Sequence, residues 1–359
     1  MYVTSRQLTL WIILYQLGSS MLIIPAGLAA VAKQDAWLAV IIAIAISFLF
    51  IPLYVAISNQ MKMKSVFLYF QALFGNVGGR TLLSLFIFMF PFLIFILTLR
   101  NLGDFVTTSI IPQTPAQVIY AIMLFTVVYA LYLGIQPLVR SVEIFFPLAM
   151  FLMLILIVSV IPNYKVDQIL PVLEHGWKPP IRASLLLAAF PFMESVLLLF
   201  FVPFVESGKI LKKILIKSTM ISGIFFFIIT GSVLVVLSPE LTENLVFPSY
   251  FVIRTISFAS FYERFEVLVA VIWFISMFCR LSLLMYISAK GLSESLSIKN
   301  YRSLLIPLSG IAFIMADVVW PNLTYLNEFI TIWPSYAMVF GYVLPILLWV
   351  IGRIKTKQT

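Results

Sequence analysis

Runs of about twenty apolar residues recur along this chain, and they constrain its fold more than any other feature, because twenty helical residues cross a hydrocarbon layer about 30 Å thick. Ten runs, at approximately 8–32, 36–58, 81–106, 115–135, 143–162, 184–204, 217–237, 266–289, 303–320 and 334–352, predict an all-α polytopic membrane protein with ten transmembrane helices. Of the 359 residues, 62% are hydrophobic and only 10% charged, and the mean hydropathy is +1.11. That composition leaves too little charge to cover a soluble surface. The first run is long enough to span and no small-residue cleavage site is visible, so the sequence predicts its retention in the mature chain.

The formal net charge of +9 does not read as a nucleic-acid footprint, because the Lys and Arg residues fall in short loops between apolar runs. Ten spans put both termini on one side. With the N-terminus inside, fifteen basic residues lie inside, seven lie outside or at outer span ends, and Arg280 lies within a span. That bias predicts cytoplasmic termini. Cys279 is the single cysteine, so no intrachain disulfide can form.

Two of the spans are interrupted. Gly18-Ser19-Ser20 and Pro25 break the first, and Phe190-Pro191-Phe192-Met193-Glu194 breaks the sixth. Backbone freed from helical hydrogen bonding at membrane depth is tolerated where it is buried in protein or lines a cavity. Division into two sets of five starts each set with a broken span and gives the second set the opposite sense through the membrane. The expectation is a single transmembrane domain, residues 1–359, built as a 5+5 inverted repeat, with one repeat at about 7–162, the other at about 183–353 and a cytoplasmic tail at 353–359.

Glu194 follows the second break near mid-depth, where an ionised side chain costs roughly 2.5 to 3.5 kcal/mol on insertion scales and is by default a functional residue. It could neutralise a substrate amine, carry a proton, or form a structural ion pair. Arg280 in the eighth span is the partner to test, on the order of 5 Å deeper at the helical rise. It would supply a fixed positive charge in the place of a coupling cation. Arg100 and Asp104 read as a local i,i+4 pair or as snorkelling at the outer end of the third span, Glu143 as an interfacial partner of Arg140, and the Ser, Thr and Gly residues of the seventh span as small residues for close helix contact. The sequence contains no phosphate loop, no His/Cys metal cluster and no nucleophile elbow with a base, so neither an enzyme nor a bound cofactor or metal is expected.

Three segments between the spans add detail. Ser65–Gly75 is apolar but too short to cross and reads as an interfacial helix beside Lys62 and Lys64. Ser249–Tyr262 reads as a short helix over the mouth of the bundle, a candidate lid. The outer connection 163–182, which holds the only histidine, His175, reads as a packed loop.

The chain resembles the B subunits of bacterial spore germinant receptors, the GerAB-like spore germination permeases of the amino acid/polyamine/organocation (APC) transporter superfamily, with a LeuT-like fold. The likeness covers nearly the whole length. It rests on the ten-span plan, the Gly18-Ser19-Ser20 to Pro25 break, Ile169-Leu170-Pro171-Val172-Leu173 before Gly176, Phe190 to Glu194, and Trp273 to Arg280 followed by Leu281, Ser282 and Tyr286. The resemblance implies a germinant-sensing subunit of the inner spore membrane that binds a small nutrient, such as an amino acid, and works with an A subunit and a lipoprotein C subunit. It also implies that a ligand carboxylate meets backbone around Gly18, Ser19, Ser20 and Ile24. The ligand amine and side chain would face Phe190, Pro191, Met193 and Glu194, with walls at Phe92, Phe95, Ile96 and Ser276.

Three readings stand beside one another. A receptor and a proton-coupled secondary transporter need the same pocket and differ in whether turnover occurs, while a structural subunit would keep only a vestigial pocket.

Overall fold

The computed structural model describes residues 3–205, 207–254 and 265–356. The distal part of the candidate lid, 255–262, and the tail end 357–359 lie outside the described residues. All regular structure among the described residues is helical. Among the described residues, eight helical stretches are long and apolar enough to cross a membrane. Two of these, Ser20–Met61 with 42 residues and Val66–Ser109 with 44, would be over 60 Å long as straight helices, about twice one crossing. The first is divided by a tight turn at Lys33–Asp35, and the second bends at Gly75, whose φ of 77° only glycine adopts freely.

The first apolar run is two helices, α1 (Ser5–Leu17) and α2 (Ser20–Ala32). Thr4 and Gln7 cap the start of α1 reciprocally, satisfying two of its orphan donors. The helix ends because Gly18 leaves helical geometry. A Cβ there would fall 2.6 Å from Cδ of Arg280 and 2.9 Å from the Tyr15 carbonyl oxygen. Pro25, inside α2, cannot donate to the Met21 carbonyl four residues back. The hydroxyl of Ser249 donates to that carbonyl at 2.8 Å, which docks α11 (Pro248–Arg254) onto the broken helix.

After α2 come α3 (Ala36–Met61), α4 (Val66–Ile87), α5 (Leu93–Ser109), α6 (Ala116–Leu133) and α7 (Ile135–Val160). The expected interfacial segment forms the start of α4, set off from the rest by the Gly75 bend. The second broken run opens with α8 (Lys178–Leu187), passes through a widened turn at Ala188–Phe192 in which Phe190 is non-helical (φ −138°, ψ 98°), and continues as a tight 3₁₀ helix over Met193–Phe204. Twelve residues of 3₁₀ helix far exceed the usual three or four, a sign of strain or a hinge. Then follow α9 (Gly208–Leu237), α10 (Pro239–Asn244), α11, α12 (Phe265–Ser295), α13 (Arg302–Val318), α14 (Leu323–Met338) and α15 (Leu344–Thr356).

Helix α1 runs through the centre, packed against α7, α9 and α12, with every residue from Trp11 to Leu17 buried. Helices α6 and α7 instead turn Phe125, Tyr129, Ile144 and Phe151 outward, as a lipid solvent requires. The connection 163–182 is pinned: Gln34 donates to the Pro171 carbonyl, and the Leu173 amide donates to Asp35. His175 in that loop is exposed.

Candidate functional site

The two breaks meet around one arginine. Arg280 reaches from α12 past Gly18, whose missing Cβ makes the room. Its Nη2 donates to both carboxylate oxygens of Glu194 at 2.9 and 2.8 Å. Nη1 donates to the Tyr15 carbonyl at 3.1 Å, an acceptor in the last turn of α1, and Nε donates to Oγ1 of Thr98 on α5 at 3.2 Å. The Tyr15 hydroxyl donates to Glu194 at 2.5 Å. Both charged side chains have 0% exposure, and the guanidinium lies 4.5 Å from the Tyr15 ring centre and 4.9 Å from that of Phe190. Two opposite charges that satisfy one another this completely form a neutral cluster, the form in which buried charge is tolerated. The cluster ties α1, α5, the second broken helix and α12 at one point.

A second polar strand runs beside it. Gln16 accepts from Ser222 of α9 at 2.5 Å and donates to Ser195 at 3.4 Å. The small residues of α9 thus serve close packing, as with Gly223 against Ile44, and Ser222 also bonds to α1.

Beside the cluster lies a cavity of about 50 Å³ lined by α2, α5, α8 and α14, with Thr98 and Phe190 among its walls. These two residues also touch Arg280. A wider recess of about 680 Å³ shares Ile23, Gly27, Leu186 and Ile330 with this cavity and includes Arg182 and Glu243. Glu243 forms an ion pair with Lys33. Among the described residues no group of three His, Cys, Asp or Glu side chains could hold a metal ion.

The structure brings several sequence-predicted residues together. Gly18 and Glu194 meet at Arg280, and Ser19, Ser20 and Ser276 are buried with hydroxyls that have no partner. Ile24 and Phe190 line the cavity, whereas Pro191 and Met193 are buried along the break without lining it. Phe92, Phe95 and Ile96 are buried but do not face the cavity, which α5 meets with Ile94, Leu97, Thr98 and Asn101. Those four follow an i, i+3, i+4, i+7 spacing, one stripe of the helix. Tyr15, Gln16, Thr98, Asn101 and Trp333 were not singled out by sequence. Thr98 carried a signal, as the only hydroxyl in Leu93–Leu99.

Two other sequence readings change. Glu143 has no ion pair with Arg140 among the described residues; it accepts from Gln7 of α1 at 3.1 Å. Arg100 does pair with Asp104, at 3.0 Å, and its Nη1 also donates to the Ala316 and Asp317 carbonyls at 3.2 and 2.8 Å. It therefore caps the end of α13 across the bundle, where a cation complements the helix dipole.

A protein-family profile described as "Spore germination protein" matches residues 2–320. Spore germination protein KB of Bacillus subtilis (strain 168) is 28% identical over 99% of this chain and 96% of its own length. Spore germination protein YndE of the same organism is 23% identical over 99% and 97%, and spore germination protein XB of Bacillus anthracis 22% over 71% and 70%. Among solved structures, a Na⁺-coupled sialic acid symporter in a substrate-bound outward-open state superposes with a TM-score of 0.69 at 14% identity, covering 95% of this chain and 79% of the symporter. That likeness concerns the fold alone, which is of the transporter kind.

Proposed function

The chain belongs to the spore germination protein family, and from that premise we propose that it is a B-type germinant receptor subunit that binds a small nutrient, an amino acid by preference, between its two broken helices and signals the occupancy to A and C subunits. The family is one of permease-like membrane proteins and not of enzymes. In this reading the chain has ten spans in a 5+5 inverted repeat, residues 7–162 and 183–353, with both termini cytoplasmic in the inner spore membrane. A ligand carboxylate meets the backbone freed near Gly18, Ser19, Ser20 and Ile24. The remainder faces Phe190, Pro191, Met193 and Glu194, with Phe92, Phe95, Ile96 and Ser276 behind.

The observation that carries this reading is the Arg280–Glu194 pair joining both breaks. Arg280 is a fixed cation that releases no proton, and both oxygens of Glu194 are engaged. That arrangement suits a latch better than a proton carrier. A ligand that binds one arrangement of the two half-helices more tightly shifts the population toward it, and a partner subunit can read the altered surface.

The test is binding of a nutrient panel to the purified protein paired with uptake in proteoliposomes. Saturable binding without accumulation is expected. Concentrative uptake would overturn the receptor reading in favour of a secondary transporter.

A further inference from the structure

Three spanning stretches meet at one end of the bundle. Helix α3 stops at Met61, α9 starts at Gly208, and the last apolar stretch runs out at Lys355. Their ends are in contact. A Cβ on Gly208 would run into Oδ1 of Asn59, in the last turn of α3. Gln60 donates to the Trp349 carbonyl at 3.2 Å, and the hydroxyl of Tyr69, on the segment before the Gly75 bend, lies 2.5 Å from Oε1 of Gln60 and 3.0 Å from the Leu348 carbonyl oxygen. Positions 62–64, 209–213 and 353, far apart in sequence, therefore share one face.

That face is basic. Lys62 and Lys64 follow the end of α3, Lys209, Lys212 and Lys213 lie in the first turns of α9, and Arg353 lies in the last turn of α15; all six are exposed. None of them forms an ion pair among the described residues, and the stretches 59–76, 207–217 and 348–356 contain no Asp or Glu. Exposed apolar side chains stand among the cations: Met63 between Lys62 and Lys64, Leu68 a turn further on, and Ile354 beside Arg353. The Arg353 guanidinium lies 5.4 Å from the ring centre of Trp349, an aromatic residue of the kind that settles at a membrane boundary. Water has no favourable contact for half of this mixture. The boundary of a bilayer accepts both halves, with anionic headgroups on the cations and acyl carbons on Met63, Leu68 and Ile354.

We infer that the joined ends of α3, α9 and α15 form a binding site for the anionic headgroup of a membrane phospholipid. Orientation in the membrane needs only a bias of charge between the two sides, whereas a lipid site needs cations from separate segments to meet, as they do here. Other basic residues lack this convergence. Lys290 is paired with Glu294, and the exposed Arg140 and Lys299 belong to the connections around α6, which packs against α5, α7, α12 and α13. The site follows from the fold and the charge alone and stands whether or not the bundle binds a nutrient.

The experiment titrates the full chain in detergent micelles with a fluorescent phosphatidylglycerol, and with fluorescent phosphatidylcholine as the neutral control. Phosphatidylglycerol binds saturably, about tenfold or more tighter than phosphatidylcholine, and rising salt weakens it. At about fivefold for each cation lost, Lys62→Gln with Lys64→Gln weakens phosphatidylglycerol binding about 25-fold, and Lys212→Gln with Lys213→Gln does the same. A matched pair, Arg140→Gln with Lys299→Gln, removes as much charge elsewhere and leaves the affinity unchanged. Thermal unfolding midpoints of all three variants in phosphatidylcholine nanodiscs stay at the parent's value, because every changed side chain is exposed. Equal affinity of the parent for the two lipids overturns headgroup recognition. Unchanged affinity in either test pair overturns the joined site, and an equal loss in the matched pair reduces it to diffuse attraction and overturns it too. Binding of poly-L-glutamate by a parent that does not distinguish the two lipids overturns the lipid in favour of an acidic protein partner.

Discussion

The two arginine–carboxylate pairs within the helices, one partly and one fully buried, use the same chemistry for different ends. Arg100 and Asp104 are four residues apart on α5, with side chains 12% and 11% exposed, and their reach to α13 and Trp320 closes one end of the bundle. Arg280 and Glu194 lie on different helices with 0% exposure, at the junction of the two breaks. The first pair would form wherever α5 was helical, with α13 docking on it. The second exists only when four separate elements are in place, so it reports the global arrangement, as the proposed latch requires.

The largest expected contrast comes from removing each arginine. Arg280→Met leaves a buried carboxylate uncompensated and lowers stability by about 3–5 kcal/mol. Arg100→Met costs about 1–3 kcal/mol, since Asp104 keeps the Trp320 indole and some solvent. Denaturation of the two variants side by side checks this, and equal losses would erase the distinction between the pairs.

Next in size is Tyr15→Phe, which deletes a hydrogen bond to a charged acceptor and costs about 1.5–3 kcal/mol. Trp320→Phe at the Arg100–Asp104 pair should cost less by the same assay. Gly18→Ala drives a Cβ against Arg280 and the Tyr15 carbonyl, an overpacking loss of about 1–3 kcal/mol that also weakens nutrient binding. Normal affinity in this variant would mean that the first break is a kink without a binding role. The smallest effect belongs to the surface pair Lys290–Glu294, 41% and 23% exposed: Glu294→Gln should change the unfolding free energy by under about 0.5 kcal/mol.

Much of this architecture was legible from residue order. The breaks at Gly18 and Pro191 stand out because a lipid-facing helix has no reason to interrupt itself, and Glu194 and Arg280 stand out because charge in a span is expensive. The partners of that charge were less legible. Tyr15 is ordinary in an apolar helix until the fold brings its carbonyl to the guanidinium, and Thr98, the one hydroxyl in Leu93–Leu99, stands out in its helix without naming its partner. On α5 the resemblance pointed to Phe92, Phe95 and Ile96, whereas the cavity is met by Ile94, Leu97, Thr98 and Asn101, a neighbouring stripe whose apolar members look no different in sequence and which packing selects. Likewise the spacing of Arg100 and Asp104 predicted their pairing but not the carbonyls of α13, which come from over two hundred residues away.

A double-mutant cycle on Glu194→Gln and Arg280→Met, read as unfolding free energy in detergent, tests most directly whether the central pair holds the broken helices together. The two losses should be strongly non-additive, with a coupling of about 2 kcal/mol or more and a double variant that folds yet gives no nutrient response. Losses that add to within about 0.5 kcal/mol would contradict the latch.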